Sequence, residues 1–446
     1  MMKYEKYKSS GVEWIGDIPE HWEVKRIKYI LKNPLKYGAN EPAVDDDRNN
    51  PRYIRITDFG ENEILRDDTF KSVKYEIAKN YLLKKGDILF ARSGATVGKS
   101  FQFKNYNGLA CYAGYLIKAT PNAKIVISDF LSYYTKSISY DEWKENIFIQ
   151  ATIQNISAEK YDRLELPIPP LSEQTAIAQY LDAKTQAIDK KINLLTKKSE
   201  TYKELRKSII NDAVCKGLGK NVKLQESEFA FPVNANWKRY RLKDLGYLYS
   251  GLSGKAGDDF NQDENPKNKG FIPFTNIANN IYLKANHLGT VVVYDNEKQN
   301  KVRKGDIFFL MSSEGYEDIG KTAALAEDIP DTYLNSFCKG YRITKKFCEP
   351  YFLNYLLLSD NYRKSLITEG KGFTRINLKM EKVTDFFVYL PPTKEEQTAI
   401  ANYLDEKTQK IDAIVSNIGK QIDTLKELRK TLINDVVTGK IKVSEL

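Results

Sequence analysis

Apolar residues recur every seven positions along two long stretches of this chain. They are Leu181, Ile188, Leu195, Tyr202 and Ile209 in the first stretch, and Leu404, Ile411, Ile418, Leu425 and Leu432 in the second. A second apolar line flanks each set, at Ala178 and Ile192, then Ala401, Val415 and Ile422. A strict heptad spacing is typical of a coiled-coil seam. The pattern therefore predicts two long amphipathic helices.

Each predicted helix has signals for its start and its end. A double proline comes before each helix, and Ser172 or Thr393 follows as the predicted N-cap. Gly217 and Gly439 stand where the helices should end, because glycine readily takes the backbone conformation that closes a helix.

The two helices belong to a tandem repeat. QTAIAQYLDAKTQAID at 174–189 returns as QTAIANYLDEKTQKID at 397–412, and KELRKSIINDAV at 203–214 returns as KELRKTLINDVV at 426–437. A repeat period of about 220 residues is too long for a solenoid unit. The chain is therefore two copies of one unit, a globular domain followed by a helix.

Two equal seams in one chain most simply pair with each other, although two amphipathic helices in separate cores would show the same spacing. The domain between the helices should have a radius of gyration of roughly 15 Å and termini close together. Each helix should be roughly 60 Å long. Antiparallel pairing then needs no stretched linker. It predicts a domain at each end of a helical rod, a pseudo-two-fold axis, and chain termini near each other.

The globular segments repeat more weakly and predict mixed α and β structure. Short β-branched and aromatic runs alternate with Gly, Asn, Asp and Lys turns, which favours a strongly bent sheet. Longer helices are predicted in them only at 128–139 and 350–359. The aligned segments are KGDILFARSG (85–94) with KGDIFFLMSS (304–313), VGKS (97–100) with IGKT (319–322), YIRITDF (53–59) with FIPFTNI (271–277), and ATIQNIS (151–157) with FTRINLK (373–379).

The predicted fold class is α+β. Two mixed α/β domains occupy residues 1–170 and 218–391. Two long helices, in 171–217 and in 392–446 with a C-terminal tail, form an antiparallel coiled coil between them. The whole is a pseudo-two-fold tandem repeat.

Composition narrows the classes of partner and compartment. A net charge of +10 and a pI near 9.0 favour a polyanionic partner. No apolar run is long enough to span a membrane and no signal peptide precedes Tyr4, so we expect a cytoplasmic protein. With two histidines and no metal-ligand spacing, we expect no zinc site. We predict that the cysteines are reduced and structural: Cys111, Cys215, Cys338 and Cys348.

Residues 315–322 match the phosphate-binding loop pattern G-x-x-x-x-G-K-T. Glu317 and Asp318 would place negative charge in the phosphate cradle, and no helix is predicted after Thr322. The equivalent loop at 94–99 is one residue too short between its glycines. Either these loops are tight turns with an exposed lysine, or they face nucleic acid through Arg92, Ser93, Lys99, Ser312, Ser313 and Lys321.

No catalytic set is visible in the sequence. There is no methyl-donor loop, base-methylation motif, helicase motif pair or nuclease cluster, and two histidines leave little material for histidine-based catalysis. The sequence therefore predicts a binding module with no catalytic residues, no metal and no cofactor.

Several segments carry a family resemblance. They are the opening KYKSSGVEWIGDIPEHWEVKRIKYI, then KGDILFARSGATVGK, the helix starts IPPLSEQTAIAQYLD and LPPTKEEQTAIANYLD, and TGKI near the end. Across essentially its whole length the chain resembles the specificity subunit (HsdS) of Type I restriction-modification enzymes. The resemblance implies two target-recognition domains, each reading half of a split sequence in double-stranded DNA, held apart by an antiparallel helical spacer.

It also implies that two methyltransferase subunits clasp the spacer, that restriction subunits join this core, and that the specificity subunit itself does no chemistry. The adenine to be methylated would leave the DNA helix for a pocket in the methyltransferase. Two alternatives stay open: a coiled-coil scaffold without DNA specificity, and a nucleotide-driven enzyme that uses Lys321.

For the implied role we predict a set of DNA contacts. Arg, Lys, Asn and Gln would read base edges, while Ser, Thr and Lys would mostly hold phosphates. In the first domain the predicted residues are Arg55, Thr57, Asp58, Arg92, Ser93, Lys99, Thr152, Gln154 and Asn155. In the second domain they are Thr275, Asn276, Ser312, Ser313, Lys321, Thr374, Arg375 and Asn377.

Overall fold

A computed structural model describes residues 2–94, 96–149, 155–260, 262, 265–368 and 376–443. The chain divides into two compact units. Unit 1 is Met1–Thr196 with Gly419–Leu446, and unit 2 is Lys197–Ile418. Each unit therefore contains one globular domain and a part of each long helix.

Unit 1 is built on a four-stranded antiparallel sheet with the strand order β4-β9-β6-β7. A parallel pair, β5 with β8, and an antiparallel pair, β3 with β10, lie beside it. The strands are β1 (Tyr7–Ser9), β2 (Asp17–Pro19), β3 (Glu23–Arg26), β4 (Lys36–Tyr37), β5 (Arg52–Ile54), β6 (Ile88–Ala91), β7 (Ser100–Gln102), β8 (Ala110–Tyr112), β9 (Leu116–Ala119) and β10 (Glu165–Ile168). The helices are α1 (Tyr75–Ala78), α2 (Ser128–Tyr134), α3 (Ile138–Ile149), α4 (Ala158–Asp162) and the start of α5 (Leu171–Lys216), with 3-10 turns at Ile27–Tyr29, Ile56–Asp58 and Glu61–Glu63.

Unit 2 has a five-stranded sheet with the order β14-β22-β18-β20-β16, beside a three-stranded sheet β17-β15-β21. The strands are β11 (Leu224–Gln225), β12 (Val233–Asn234), β13 (Lys238–Arg241), β14 (Gly246–Ser250), β15 (Asn268–Ile272), β16 (Tyr282–Leu283), β17 (Gly289–Val292), β18 (Ile307–Leu310), β19 (Ser312–Ser313), β20 (Thr322–Leu325), β21 (Thr332–Leu334), β22 (Cys338–Ile343), β23 (Ile376–Asn377) and β24 (Phe387–Leu390). The helices are α6 (Leu242–Leu245), α7 (Phe274–Asn279), α8 (Pro350–Leu358), α9 (Asp360–Ile367), α10 (Met380–Thr384) and α11 (Lys394–Val437), with 3-10 turns at Gly257–Asp259 and Ala285–His287.

The two domains share one arrangement of strands. β6 in unit 1 and β18 in unit 2 are apolar throughout, fully buried, and lie between the same two neighbours, β9 and β7 or β22 and β20. The parallel pair β5–β8 has its counterpart in β15–β21. This confirms the mixed α+β class and the weaker repeat. Unit 2 adds β16 and β17 at its sheet edges.

The repeated KGD sequence ends in a buried aspartate that fixes the start of the central strand. Asp87 and Asp306 are each 2% exposed, and each accepts the backbone N–H three residues earlier at 2.8 Å. Asp87 also accepts the Thr120 hydroxyl at 2.7 Å. Asp306 instead pairs with Arg342 and with the Tyr249 hydroxyl, each at 2.6 Å. Buried carboxylates need such partners.

The long helices pair in an antiparallel direction within each unit. In unit 1, Leu181 near the start of α5 shares a buried core with Leu432 near the end of α11. In unit 2, Val214 near the end of α5 shares a core with Leu404 near the start of α11. The predicted direction of pairing is therefore confirmed inside both units.

Equivalent ion pairs support the same direction. Asp189 of α5 pairs with Arg429 of α11 at 3.0 Å in unit 1, and Arg206 of α5 pairs with Asp412 of α11 at 3.0 Å in unit 2. The repeat places Asp412 where the first copy has Asp189, and Arg429 where it has Arg206. Antiparallel pairing thus joins each acid to a base.

Every residue of the predicted seam is removed from solvent at least in part. Leu181, Leu404, Ile411, Ile418 and Leu432 are buried, and Ile188, Leu195, Tyr202, Ile209 and Leu425 are half-buried. The heptad pattern therefore identified the buried side of both helices.

The best-preserved repeat residues attach each helix to its own domain. The Gln174 side chain is fully buried; its amide donates to the carbonyls of Pro169 and Ile125 at 2.8 and 2.9 Å. Gln397 does the same with Pro391 and Phe347 at 3.0 and 3.1 Å. These glutamines satisfy backbone groups at the joint between domain and helix, which explains why both copies keep them.

The aspartate of the repeated YLD sequence has a similar task. Tyr133 of α2 donates its hydroxyl to Asp182 of α5 at 2.5 Å, and Tyr355 of α8 donates to Asp405 of α11 at 2.7 Å. Burial raises the pKa of Tyr133 and of Tyr355, so both phenols stay neutral donors.

Two predictions about helix limits need correction. α5 begins at Leu171, so Ser172 lies inside the first turn and is not the N-cap. Thr393, in contrast, accepts the Glu396 backbone N–H at 3.2 Å and caps α11 as predicted. The helix predicted at 128–139 ends at Tyr134 as α2, and a separate helix that was not predicted, α3, begins at Ile138 and continues to Ile149.

The chain ends meet inside unit 1, as the antiparallel arrangement predicts. Lys442 donates its backbone N–H to the Met2 carbonyl at 2.9 Å, and the Tyr7 hydroxyl donates to the Gly439 carbonyl at 3.1 Å.

Among the described residues, no helix has both the length and the apolar character needed to cross a bilayer.

The cysteines are buried and none forms a disulfide. Burial raises the pKa of Cys215 to about 11 and the pKa of Cys111, Cys338 and Cys348 to about 12. The thiols therefore stay protonated, as expected for structural residues.

Candidate nucleic-acid interface

Arg55 begins the candidate site of unit 1, at the point where β5 ends. Its guanidinium Nε and its backbone N–H both donate to Asp58, at 3.1 and 2.8 Å. Asp58 is fully buried and also accepts the Thr69 hydroxyl at 2.7 Å, with Arg52 at 3.5 Å. The structure therefore makes Asp58 an anchor for Arg55, and corrects its predicted place as a direct contact.

The fold brings Asn155 next to Arg92 and Ser93, although it lies far from them in sequence. Ser93 and Asn155 form an antiparallel bridge, and the next backbone N–H, that of Ile156, donates to the Arg92 carbonyl at 2.9 Å. The Arg92 guanidinium lies over the Tyr37 ring at 4.9 Å. Among the described residues, Arg92 Nε and Asn155 Oδ1 are buried atoms without a hydrogen-bond partner. Such atoms are uncommon in folded proteins, and these two lie on the two segments that the bridge joins.

Lys99 links the segment that carries Arg55 to the loop that follows Arg92 and Ser93. Its Nζ donates to the Phe59 carbonyl at 3.4 Å, beside the exposed Thr57, while its side chain remains exposed. The loop that carries Lys99 is closed by the Gly98 N–H, which donates to the Ala91 carbonyl at 2.8 Å. The predicted residues of unit 1 that the structure describes thus lie on three segments at one end of the sheet.

Unit 2 repeats this layout and keeps part of its side chains. Ser312 pairs with Asn377 where unit 1 pairs Ser93 with Asn155, and here the pairing extends to Ser313 with Ile376 as β19 and β23. Ser312 is half-buried. Ser313 is buried and accepts the backbone N–H of the glycine two residues later, at 3.3 Å.

Lys321 occupies the position of Lys99. Its Nζ donates to the Ala278 carbonyl at 3.3 Å and pairs with Asp318 at 2.6 Å. Nearby, Thr275 is exposed on α7, and the Asn276 amide donates to the His287 carbonyl. The second loop differs from the first because Asp318 neutralises part of the charge of Lys321.

The phosphate-loop resemblance does not extend to the structure. Thr322 is buried in β20 and donates its hydroxyl to Asn354 at 2.8 Å. A strand follows the loop, so no helix N-terminus points at a phosphate as nucleotide binding there would need.

Some predicted contacts cannot be placed. Thr152, Gln154, Thr374 and Arg375 lie outside the described residues. Each pair comes shortly before a residue that is placed, Asn155 or Asn377.

Sequence reasoning missed the residues that hold the loops. Arg363 of α9 donates to the carbonyls of Tyr316, Glu317 and Ile319, which fixes the loop before Lys321. Burial lowers the pKa of the Arg363 guanidinium, because its charge is partly removed from water. No local sequence signal links α9 to a loop about forty residues earlier, so periodicity and turn rules could not find this contact.

The comparisons with known proteins agree on one family. The sequence profile described as the Type I restriction modification DNA specificity domain matches residues 19–198 and 234–424. The chain is 22% identical over 447 residues to the Type I restriction enzyme MjaVIII specificity subunit of Methanocaldococcus jannaschii, covering 96% of this chain and 95% of that protein. It is 23% identical over 448 residues to the EcoKI specificity subunit of Escherichia coli K12, covering 96% and 90%.

Solved structures show the same fold. A chain from a study of complex assembly and conformational transition in a type I restriction-modification system aligns with a TM-score of 0.71 at 15% identity, over 95% of this chain and 99% of that one. The crystal structure of the HsdS subunit from Thermoanaerobacter tengcongensis aligns with a TM-score of 0.54 at 16% identity, over 95% and 98%. The profile covers most of the chain in two copies, so this protein belongs to the Type I restriction-modification specificity family, as its non-catalytic DNA specificity subunit.

Proposed function

We propose that each unit reads one half of a bipartite, interrupted target in double-stranded DNA. Residues 1–170 and 218–391 would be the recognition domains, and 171–217 and 392–446 the spacer. The contacts would be made in unit 1 by Arg55, Thr57, Arg92, Ser93, Lys99, Thr152, Gln154 and Asn155, and in unit 2 by Thr275, Asn276, Ser312, Ser313, Lys321, Thr374, Arg375 and Asn377.

One observation carries this proposal: the candidate site occurs twice on the same backbone, with some side chains kept and others changed. The pairs Ser93–Asn155 and Ser312–Asn377 occupy equivalent places, and Lys99 and Lys321 donate to the carbonyls of Phe59 and Ala278, which are one position apart in the alignment of the two units. Other aligned positions have diverged: Arg55 aligns with Pro273, and Arg92 aligns with Met311. Equal backbones with unequal side chains suit two half-sites of different sequence.

We further propose that two methyltransferase subunits dock on the helices and that restriction subunits join through them. In support, the repeated KELRK sequence exposes one leucine in each copy, Leu205 at 45% and Leu428 at 50%. A repeated surface gives two identical partners equivalent seats. Since the substrate would be the cell's own DNA, the complex would work in the cytoplasm.

The salt dependence of DNA binding tests the proposed contacts. In the assembled complex, Lys99→Ala should flatten the slope of log affinity against log salt by about one unit, because one phosphate contact is lost. Lys124→Ala is the matched control, since Lys124 is an exposed lysine just beyond the opposite end of β9. Affinities are measured on target DNA at several salt concentrations.

The control variant should keep the full slope. An unchanged slope for Lys99→Ala would remove Lys99 from the interface. A complete complex that footprints without sequence preference would support the scaffold alternative instead.

A further inference from the structure

Two exposed aromatic side chains occupy equivalent turns in the two units. Tyr115 lies between β8 and β9 and is 64% exposed, and Phe337 lies between β21 and β22 and is 60% exposed. Each turn connects the parallel strand pair to the main sheet. Neither residue belongs to the contacts proposed above.

The turn of unit 1 is held by its backbone. The Ala113 N–H donates to the Ile54 carbonyl at 2.9 Å, and the Ala113 carbonyl accepts the Leu116 N–H at 2.8 Å. This closes a four-residue turn with Tyr115 at its third position. Two backbone hydrogen bonds therefore hold the turn that carries the Tyr115 ring.

The turn of unit 2 has the same bonds. The Asn335 N–H donates to the Ile272 carbonyl at 3.1 Å, and its carbonyl accepts the Cys338 N–H at 3.1 Å. The Asn335 side chain also accepts the Phe337 N–H at 2.9 Å. The turn sequences AGYL and NSFC share no residue, yet both place an aromatic ring at the third position.

Strand register places each ring next to the proposed DNA contacts. Ala91 pairs with Leu116, and one step further the Arg92 N–H donates to the Tyr115 carbonyl at 3.0 Å. Leu310 pairs with Cys338 in unit 2, so Phe337 lies beside the residue that precedes Ser312. Both rings thus lie at the end of the sheet that carries the candidate site.

A single exposed aromatic residue is ordinary on a protein surface. Here the same position is aromatic and exposed in both copies, although every residue of the turn has changed. Neither ring is buried in the core of its domain. In duplex DNA the base faces are stacked on one another, but the base edges and the thymine methyl group are open to apolar side chains in the major groove.

We propose that Tyr115 and Phe337 each pack against bases of the half-site that their unit reads. This inference rests on the proposed function and adds an apolar contact to the polar set. The contact carries no charge, so it should change affinity without changing the salt slope. The Tyr115 hydroxyl should be dispensable, because Phe337 lacks one.

The test uses the complex of the full chain with its methyltransferase partners. The duplex DNA carries the target motif that sequencing of methylated bases identifies. Tyr115→Ala and Phe337→Ala should each weaken binding by about tenfold, the size of effect expected for one lost base contact in duplex DNA, with the salt slope unchanged. Tyr115→Phe should bind like the parent chain. The matched controls are Tyr29→Ala in unit 1 and Tyr294→Ala in unit 2, which are 62% and 51% exposed and lie near the opposite ends of their sheets.

A second measurement assigns each ring to its half-site. When the first half-site is scrambled, Tyr115→Ala should bind like the parent while Phe337→Ala should still bind more weakly. The inference is overturned if Tyr115→Ala and Phe337→Ala behave like the two controls. If Lys99→Ala still flattens the salt slope in that case, the proposed function stands and only this inference fails. A complex that binds DNA without sequence preference would contradict both the proposed function and this inference.

Discussion

Asp306→Ala is expected to lower the free energy of unfolding of unit 2 by about 3–5 kcal/mol, because it leaves a mostly buried Arg342 guanidinium without its counter-ion. Tyr249 would lose the acceptor of its hydroxyl at the same time. Burial and the neighbouring carboxylate raise the pKa of Tyr249, so the phenol is a neutral donor that needs this partner. Urea unfolding, with hydrogen exchange of β14, β18 and β22, measures the loss.

Asp295→Ala is the matched control in the same unit. Asp295 pairs with Lys267 at 2.9 Å, but both side chains are exposed, at 82 and 45%. Exposed pairs contribute little to stability, because water and salt screen the two charges. If the two variants lose equal stability, the buried cluster does not stabilise unit 2 in the way described.

Inserting one heptad into each long helix is expected to widen the gap between the half-sites by roughly three base pairs. The insertions would follow Leu195 and Ile418, and a seven-residue step keeps the seam in register. Seven residues add about 10 Å of helix, and base pairs are about 3.4 Å apart. Binding to the original target should be lost, and the wider target should be bound and methylated.

Insertion into only one helix is the control, since it leaves the seams unequal and should impair assembly. The half-site sequences themselves should stay the same. Complexes that keep the original gap, or that acquire new half-site letters, would show that these helices do not set the distance between recognition domains.

Much of the helical part could be predicted because its signals are local. Heptad spacing and the terminal glycines depend on neighbours in sequence, and the structure follows them. The break between α2 and α3 also had a local signal, which was missed: the Ser137 hydroxyl accepts the Tyr140 N–H at 3.2 Å, as an N-cap does. Ser359 starts α9 in the same way, by accepting the Tyr362 N–H at 3.4 Å.

The candidate site was only partly predictable because it depends on burial and on distant contacts. Asp58 looks like a surface acid beside Thr57, but the chain folds Thr69 over it and encloses its carboxylate. Arg363 reaches its loop from another helix. Tyr115 lies beside Arg92 because β6 and β9 pair in this register, which the sequence does not specify at that turn.

Sequencing the methylated bases in a strain that carries this chain with its methyltransferase partner tests the central claim most directly. The account predicts one interrupted motif with two specific half-sites around a non-specific gap, and a methylated adenine on each strand. Substituting Arg92 and Asn155 in unit 1 should change or abolish the recognition of one half-site only. A continuous motif, or a change in both halves from unit 1 alone, would contradict the assignment of one half-site to each unit.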